Sequence, residues 1–479
     1  MSCVTFVTRA LFAALVTFLV APLHAQDQPN VIVILCDDLG YGDVRCNNPE
    51  GKIATPHMER IAAEGMRFTD AHTTSSVCTP TRYGLLTGRY NWRSGLQSGV
   101  LGGLSPRLIE PGRATIASLL RDRGYATACV GKWHLGMDWV RVPGKSITEL
   151  GIEKPGEVDN VTYDQPIANG PNSVGFDYFF GISASLDMVP YTFIENDRVT
   201  VPPTARGAFP MNLDKKSGRT PLGPAAPGFD AADVLPRLTQ KAIEWIGKCA
   251  SDTRTTPFFL YVPLASPHTP IVPAQEWQGR SGLNAYADFV MQTDAAIGEI
   301  LAALTKHGLD ENTLVVCTSD NGCSPQADLE QLRAKDHAVS GPFRGHKADI
   351  YEGGHRVPFL VRWPGKIPAG QTSHELVSTV DLMATIAELT GAKLPDDAGE
   401  DSISFLPLLL RKAGANRRES LVHHSINGAF AIRRGDWKLC LCAGSGGWSA
   451  PREPEARKRG LPAVQLFNLR DDPAESRNM

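Results

Sequence analysis

The chain has 479 residues, 42% hydrophobic and 21% charged, enough for one large domain and a smaller one. Its 48 basic and 51 acidic residues leave a formal net charge of -3. With no basic stripe and no acidic tail, the footprint of a nucleic-acid binder is missing.

Residues 1–25 read as a secretory leader: Arg9, an apolar run from Leu11 to Pro22, then Leu23-His24-Ala25 as a cleavage site before Gln26. The run is too short to persist as an anchor. The expected product is exported, periplasmic or secreted, and free of the membrane after cleavage. The ten cysteines lack zinc-ligand spacing. Export permits disulfides, but spacing assigns no pairs.

Residues 30–36 form a continuous apolar, β-branched run, as in a strand buried on both faces of a parallel sheet. It ends in Asp37-Asp38-Leu39-Gly40-Tyr41-Gly42-Asp43. Adjacent carboxylates at a strand end repel unless a cation holds them, as hard oxygen ligands hold calcium or magnesium; the plain alternative is a solvated acidic turn. Thr55-Pro56 opens a helix that stops at Gly65. Over residues 76–89 a short helix is predicted, with Thr79 as N-cap, Pro80 in the first position and Gly88 as the stop. Cys78 then precedes a helix N-terminus, where unpaired N–H groups favour an anion. Arg82, one turn on, can return its guanidinium beneath it. That point suits a sulfate or phosphate ester; a lone buried cysteine is the bland reading.

Thr115 to Arg123 reads as a helix closed by Gly124, and Ala126 to Val130 as a short strand that delivers Lys132 and His134 between glycines. Residues 140–232, rich in Gly, Pro and Asn, read as long loops that form a substrate rim. Val234 to Cys249 is an amphipathic helix, and Phe258 to Leu264 a strand leading to His268. Ala285 to Lys306 is a long helix, and Thr313 to Thr318 a strand delivering Asp320-Asn321. Lys347, Glu352 and Arg356 precede a strand from Phe359 to Trp363, and Val380 to Leu389 is a helix closed by Gly391. This alternation predicts an α/β domain over residues 26–395, with a large, mainly parallel sheet sandwiched by helices. Beyond it, Ala429–Arg433 and Trp437–Leu441 read as a hairpin and Gln465–Leu469 as a further strand. They make a small C-terminal α+β subdomain over residues 396–479.

Cys78-Thr79-Pro80-Thr81-Arg82 resembles the C-x-P-x-R signature of the type I sulfatases, in the alkaline phosphatase superfamily, with Thr81 where Ser or Ala is usual. Leu85-Leu86-Thr87-Gly88-Arg89 and Gly131-Lys132-Trp133-His134-Leu135-Gly136 resemble further blocks of that family, and the likeness spans nearly all of residues 28–478. The resemblance implies an alkaline phosphatase-like fold and a cysteine oxidised to formylglycine (3-oxoalanine), whose hydrate is the nucleophile. It implies one calcium ion on Asp37, Asp38, Asp320 and Asn321, with an oxygen of the modified Cys78. Arg82, Lys132 and Lys347 would bind the sulfate. His268 or Lys347 would protonate the leaving alcohol, and His134 would take a proton from the second hydroxyl as sulfate departs. The implied partners are a formylglycine-generating enzyme and a sulfated small molecule or glycan. A phosphoester or phosphonate hydrolase of the same superfamily, or an inactive homologue that binds sulfated glycans, stays open at this point.

Overall fold

The computed structural model describes residues 28–215, 218–252, 256–412 and 417–479. The leader predicted over residues 1–25 lies outside the described residues. A ten-stranded sheet forms the frame. From one edge its strands are Gln371–Ser373, Met66–Phe68, Phe359–Arg362, Thr313–Ser319, Asn30–Cys36, Phe258–Pro263, Ala126–Lys132, Tyr178–Ile182, Ile194–Glu195 and Arg198–Val199. The five strands from Thr313–Ser319 to Tyr178–Ile182 run parallel. Phe359–Arg362 pairs antiparallel with Thr313–Ser319.

Asn30–Cys36 is central because it can be buried on both faces, and all seven of its residues are. Ile32, Ile34 and Cys36 face a layer built by the helices Pro56–Ala63, Val234–Ala250 and Ala285–Lys306. Val31, Val33 and Leu35 face the other layer, which holds Cys78–Thr87, Ile116–Arg121 and Leu382–Thr390. The long helices match their predicted spans closely, because apolar spacing of three and four residues fixes their buried stripe.

The C-terminal part folds as a four-stranded antiparallel sheet in chain order: Ser420–His424, Phe430–Arg434, Trp437–Cys440 and Gln465–Asn468. Its hairpin turns through Gly435-Asp436, with Gly435 at φ +56°, as a two-residue turn requires. The first strand carries no alternating apolar signal, because two of its five residues are the buried His423 and His424. Ile350 and Tyr351 pack into the small core of this sheet. The subdomain is therefore stapled to the segment that bears Lys347. Beside that staple runs a buried polar seam. Arg433 pairs with Asp70 (2.7 Å), and Lys438 with Glu352 (3.1 Å) and Glu475 (2.8 Å). The rings of His355 and His423 stack 3.7 Å apart.

Candidate active site

Four parallel strands end at one edge of the sheet, and their tips and following residues bring the predicted site residues together. The Asn30–Cys36 strand is followed by Asp37 and Asp38, Ala126–Lys132 ends on Lys132, Phe258–Pro263 leads to His268, and Thr313–Ser319 is followed by Asp320 and Asn321. Ligands gather at such carboxyl edges because the loops there diverge from a rigid base. Asp38 sits at φ +67°, which turns consecutive carboxylates toward one point. Asp43 holds that turn: its carboxylate accepts from the Gly40 N–H (2.8 Å) and pairs with His337 (2.8 Å).

The helix Cys78–Thr87 supplies the reactive side chain. Its N-cap is Val77, not the predicted Thr79. Thr79 lies within the first turn, and its hydroxyl accepts from the Leu101 N–H (3.2 Å) instead of capping. Tertiary structure captured that hydroxyl, so the helix begins two residues earlier than predicted and Cys78, not Pro80, is its first residue. Gly88 closes the helix at φ +65°, as predicted. The Cys78 thiol is buried, which would raise its pKa; Lys132 and Lys347 outweigh that and hold it at about 5. Its Sγ occupies the position at which a modified side chain would stand.

The charges around it are dense. Lys132 Nζ meets Asp37 Oδ2, and Lys347 Nζ reaches Asp38 Oδ1 at 2.7 Å. Arg82 departs from its expected role. Its guanidinium is wholly buried and spent on Asp320 Oδ2 (2.8 Å), Asp37 Oδ2 (3.3 Å) and the Lys132 carbonyl (2.8 Å). It braces the carboxylates from beneath rather than opening toward the cleft. Asp37 would be raised by burial, but Lys132, His268 and Arg82 hold it well below the usual carboxylate range. Asp320 is pushed up to about 6 by burial and by the charge of Asp37.

The two histidines differ in state. The His134 Nε2 lies 2.8 Å from the Leu101 carbonyl, which only N–H can satisfy, so Nδ1 carries the lone pair. Nδ1 has no other partner and faces the Cys78 thiol. Burial and Lys132 lower the His134 pKa, so the ring is neutral at pH 7. His268 Nε2 lies 3.6 Å from Asp38 Oδ2. Burial would lower its pKa, but Asp38 lifts it to about 9.

Cation binding has its own marks. Oxygens of Asp37, Asp38 and Asp320 lie within 4.8 Å of one another. Asp37 Oδ1 and Asn321 Oδ1 are buried and make no hydrogen bond. Buried acceptors of this kind are costly unless something ligates them, and an all-oxygen set suits a hard divalent cation.

A cleft of about 520 Å³ opens above Cys78, His268 and Lys347. Ile152, Ser185, Asp187, Met188 and Met211, all from the predicted rim of residues 140–232, line one wall. His346, Trp448 and Arg452 line the cleft as well. None of those three was singled out from the sequence, since a lone His, Trp or Arg in an irregular loop carries no pattern.

A mainly parallel sheet that gathers carboxylates, lysines and a cysteine at a helix N-terminus defines a hydrolase for oxyanion esters. The sulfatase family model matches residues 29–392, and the model described as N-sulphoglucosamine sulphohydrolase, C-terminal, matches residues 345–442. The chain belongs to the sulfatase family and is an arylsulfatase-like sulfuric ester hydrolase. It is 34% identical to the N-acetylgalactosamine-6-O-sulfatase of Bacteroides thetaiotaomicron, over 95% of this chain and 90% of that protein. It is 34% identical to human arylsulfatase A, over 97% of this chain and 86% of that protein. A solved Bacteroides thetaiotaomicron structure, described under the metabolism of multiple glycosaminoglycans, superimposes with a TM-score of 0.78 at 33% identity. That match covers 94% of this chain and 95% of the other.

Proposed function

We propose that the protein is an exported sulfatase that hydrolyses sulfate monoesters of carbohydrates, with Cys78 matured to formylglycine and one calcium ion bound beside it. The observation that carries this reading is the meeting of Cys78, Lys132, Lys347 and His134 with the unsatisfied oxygens of Asp37 and Asn321. The similarity to a protein named N-acetylgalactosamine-6-O-sulfatase supports the carbohydrate substrate class. The leader over residues 1–25 supports export.

A sulfate monoester resists attack because its own charge repels nucleophiles, so its oxygens must be neutralised first. Calcium on Asp37, Asp38, Asp320 and Asn321 supplies Lewis-acid neutralisation there. Formylglycine at position 78, once formed, would supply as its hydrate an oxygen nucleophile and a second hydroxyl. Lys132 and Lys347 place two further positive charges beside the sulfate. Arg82 is a positioning residue: it fixes Asp37 and Asp320 at the spacing a cation needs. His268, whose Nε2 faces the cluster 3.6 Å from Asp38 Oδ2, would hold a proton at Nε2 for the leaving oxygen. His134, neutral with Nδ1 free, accepts a proton from the group at position 78. Residues 78–82 are all buried, so the formylglycine-generating enzyme must read this segment before it folds.

The test pairs two measurements. Mass spectrometry of the peptide containing residue 78 should find the aldehyde in protein matured in a competent host. The same protein should release inorganic sulfate from sulfated saccharides and turn over aryl phosphate far more slowly. An unmodified Cys78 in fully active enzyme, or a phosphate rate above the sulfate rate, sinks the reading.

A further inference from the structure

Resting on the reading of this site as a glycan sulfatase, we propose that the protein acts on an oligomeric acidic glycan. The sugar next to the sulfated one would lie on Trp448, with its carboxylate or sulfate bound by Arg452. The cleft of about 520 Å³ is lined by the reacting centre, Cys78, His268 and Lys347, and also by Trp448 and Arg452. That volume exceeds what a single small ester fills, which leaves the wall formed by Trp448 and Arg452 for a second sugar.

The wall is built rigidly. The Asp349 carboxylate, two residues beyond Lys347, accepts from the N–H of Trp448 (2.8 Å) and of Ser449 (2.9 Å). Gly447 presses against the Ala348 carbonyl, so closely that a Cβ there would come within 2.2 Å of it. Ser445 bonds the Ser449 carbonyl (2.8 Å), which closes the loop on itself. Trp448 is thus held at a fixed offset from Lys347, and little ordering remains to be done on binding. A half-buried indole offers a large apolar area with a polar edge, which matches a sugar ring.

Charge decides the neighbour's chemistry. The Arg452 Nε donates to the Trp448 carbonyl (3.0 Å), and its side chain lines the cleft. Among the described residues it makes no ion pair. The adjacent Glu453 turns away, accepting from the Gly444 N–H (2.9 Å) and pairing with Arg457 (3.2 Å). An exposed, unneutralised guanidinium anchored beside an aromatic ring fits a carboxylate or sulfate bidentately. Asp187 also lines the cleft, and its Oδ1 has no hydrogen-bond partner among the described residues, so it can accept from a hydroxyl of the sulfated sugar.

The experiment compares kcat/KM on three esters: 4-nitrophenyl sulfate, a sulfated disaccharide with an acidic neighbouring sugar, and the same disaccharide with a neutral neighbour. In the wild type the acidic disaccharide should be preferred over the neutral one. Arg452→Gln should erase that preference, a loss of about 10- to 100-fold carried mainly by KM, and Arg452→Lys should restore part of it. Trp448→Ala should lower the ratio of disaccharide to aryl sulfate kcat/KM for both disaccharides. Calorimetric binding of the desulfated acidic disaccharide needs no turnover and should weaken in Arg452→Gln. Turnover of all three esters with equal losses, or with no change in the variants, overturns the subsite. Binding that depends on Arg452 without sulfate release from any ester would overturn the sulfatase reading and leave the subsite standing.

Discussion

Cys78 sits where three influences meet: the first turn of a helix, two lysines, and a neutral imidazole. Cys78→Ser keeps the volume and the carboxylate cluster, so its melting temperature should stay close to the wild-type value. It lacks the thiol on which the cysteine-specific maturation acts, and in a host that matures only cysteine, sulfate release should fall to background in a burst-free assay. Retained turnover would remove formylglycine from the account. The cation site makes a second prediction that needs no turnover. Calcium at a hundred times its Kd should stabilise the fold by about 2.7 kcal/mol, read as a rise in melting temperature reversed by a chelator. Asp37→Asn and Asn321→Ala should each blunt that rise, since they alter the two oxygens that have no protein partner. At this scale the sequence was informative about which residues gather and less so about what they touch. Arg82 was legible as part of the cluster. That its guanidinium is buried against Asp320, Asp37 and a carbonyl depends on three strands that are distant in the chain.

The helix Cys78–Thr87 is the element on which the site depends, and its far end explains how it is held. Gly88 adopts φ +65°, and a Cβ there would meet Met383 at 2.6 Å and Gly399 at 2.8 Å. Gly88→Ala therefore combines a left-handed backbone penalty with a steric overlap. It should cost about 2 kcal/mol or more in denaturant unfolding and lower kcat, because the helix must shift to relieve the contact. Unchanged stability would show that this junction yields freely. Glycine matters in the Lys132 segment for a different reason: at Gly131 a Cβ would come within 1.9 Å of the Pro263 carbonyl of the neighbouring strand. That close approach sets Lys132 beside Asp37. Helix Ile116–Arg121 shows the opposite case, where local chemistry suffices. Thr115, read from the sequence as the first helical residue, is its N-cap and accepts from the Ser118 N–H (3.1 Å), so the start agrees to within one residue.

The whole molecule is joined across the polar seam between the large sheet and the C-terminal sheet. Burial holds the pKa values of His72, His355 and His423 below the ordinary histidine value. The unfolded chain then binds more protons than the native one as pH drops below about 6.5, so stability is complete above that pH and is lost beneath it. Glu475, pushed up to about 7 by burial, takes up a proton in the native state and returns part of the loss. The three histidines make the seam weaken as pH falls from 7 to 5, so His423→Phe should make the decline of melting temperature over that range shallower than in the wild type. Lys438→Met strands the buried Glu475 without its cation and leaves Glu352 to Arg356 (3.1 Å), and should cost about 3–5 kcal/mol, measured by denaturant unfolding. By itself the sequence determined the strand and helix alternation, the family, and the set of residues at the carboxyl edge of the sheet. Those follow from periodicity, from caps and from short motifs, all of which act within a few residues of the chain. Only the tertiary structure decided that Thr79 does not cap its helix, that Arg82 braces rather than binds, and that the seam and the Trp448 wall exist. Each of these joins groups hundreds of residues apart, or turns on which partner reaches a hydroxyl or guanidinium first, and no local pattern encodes that competition.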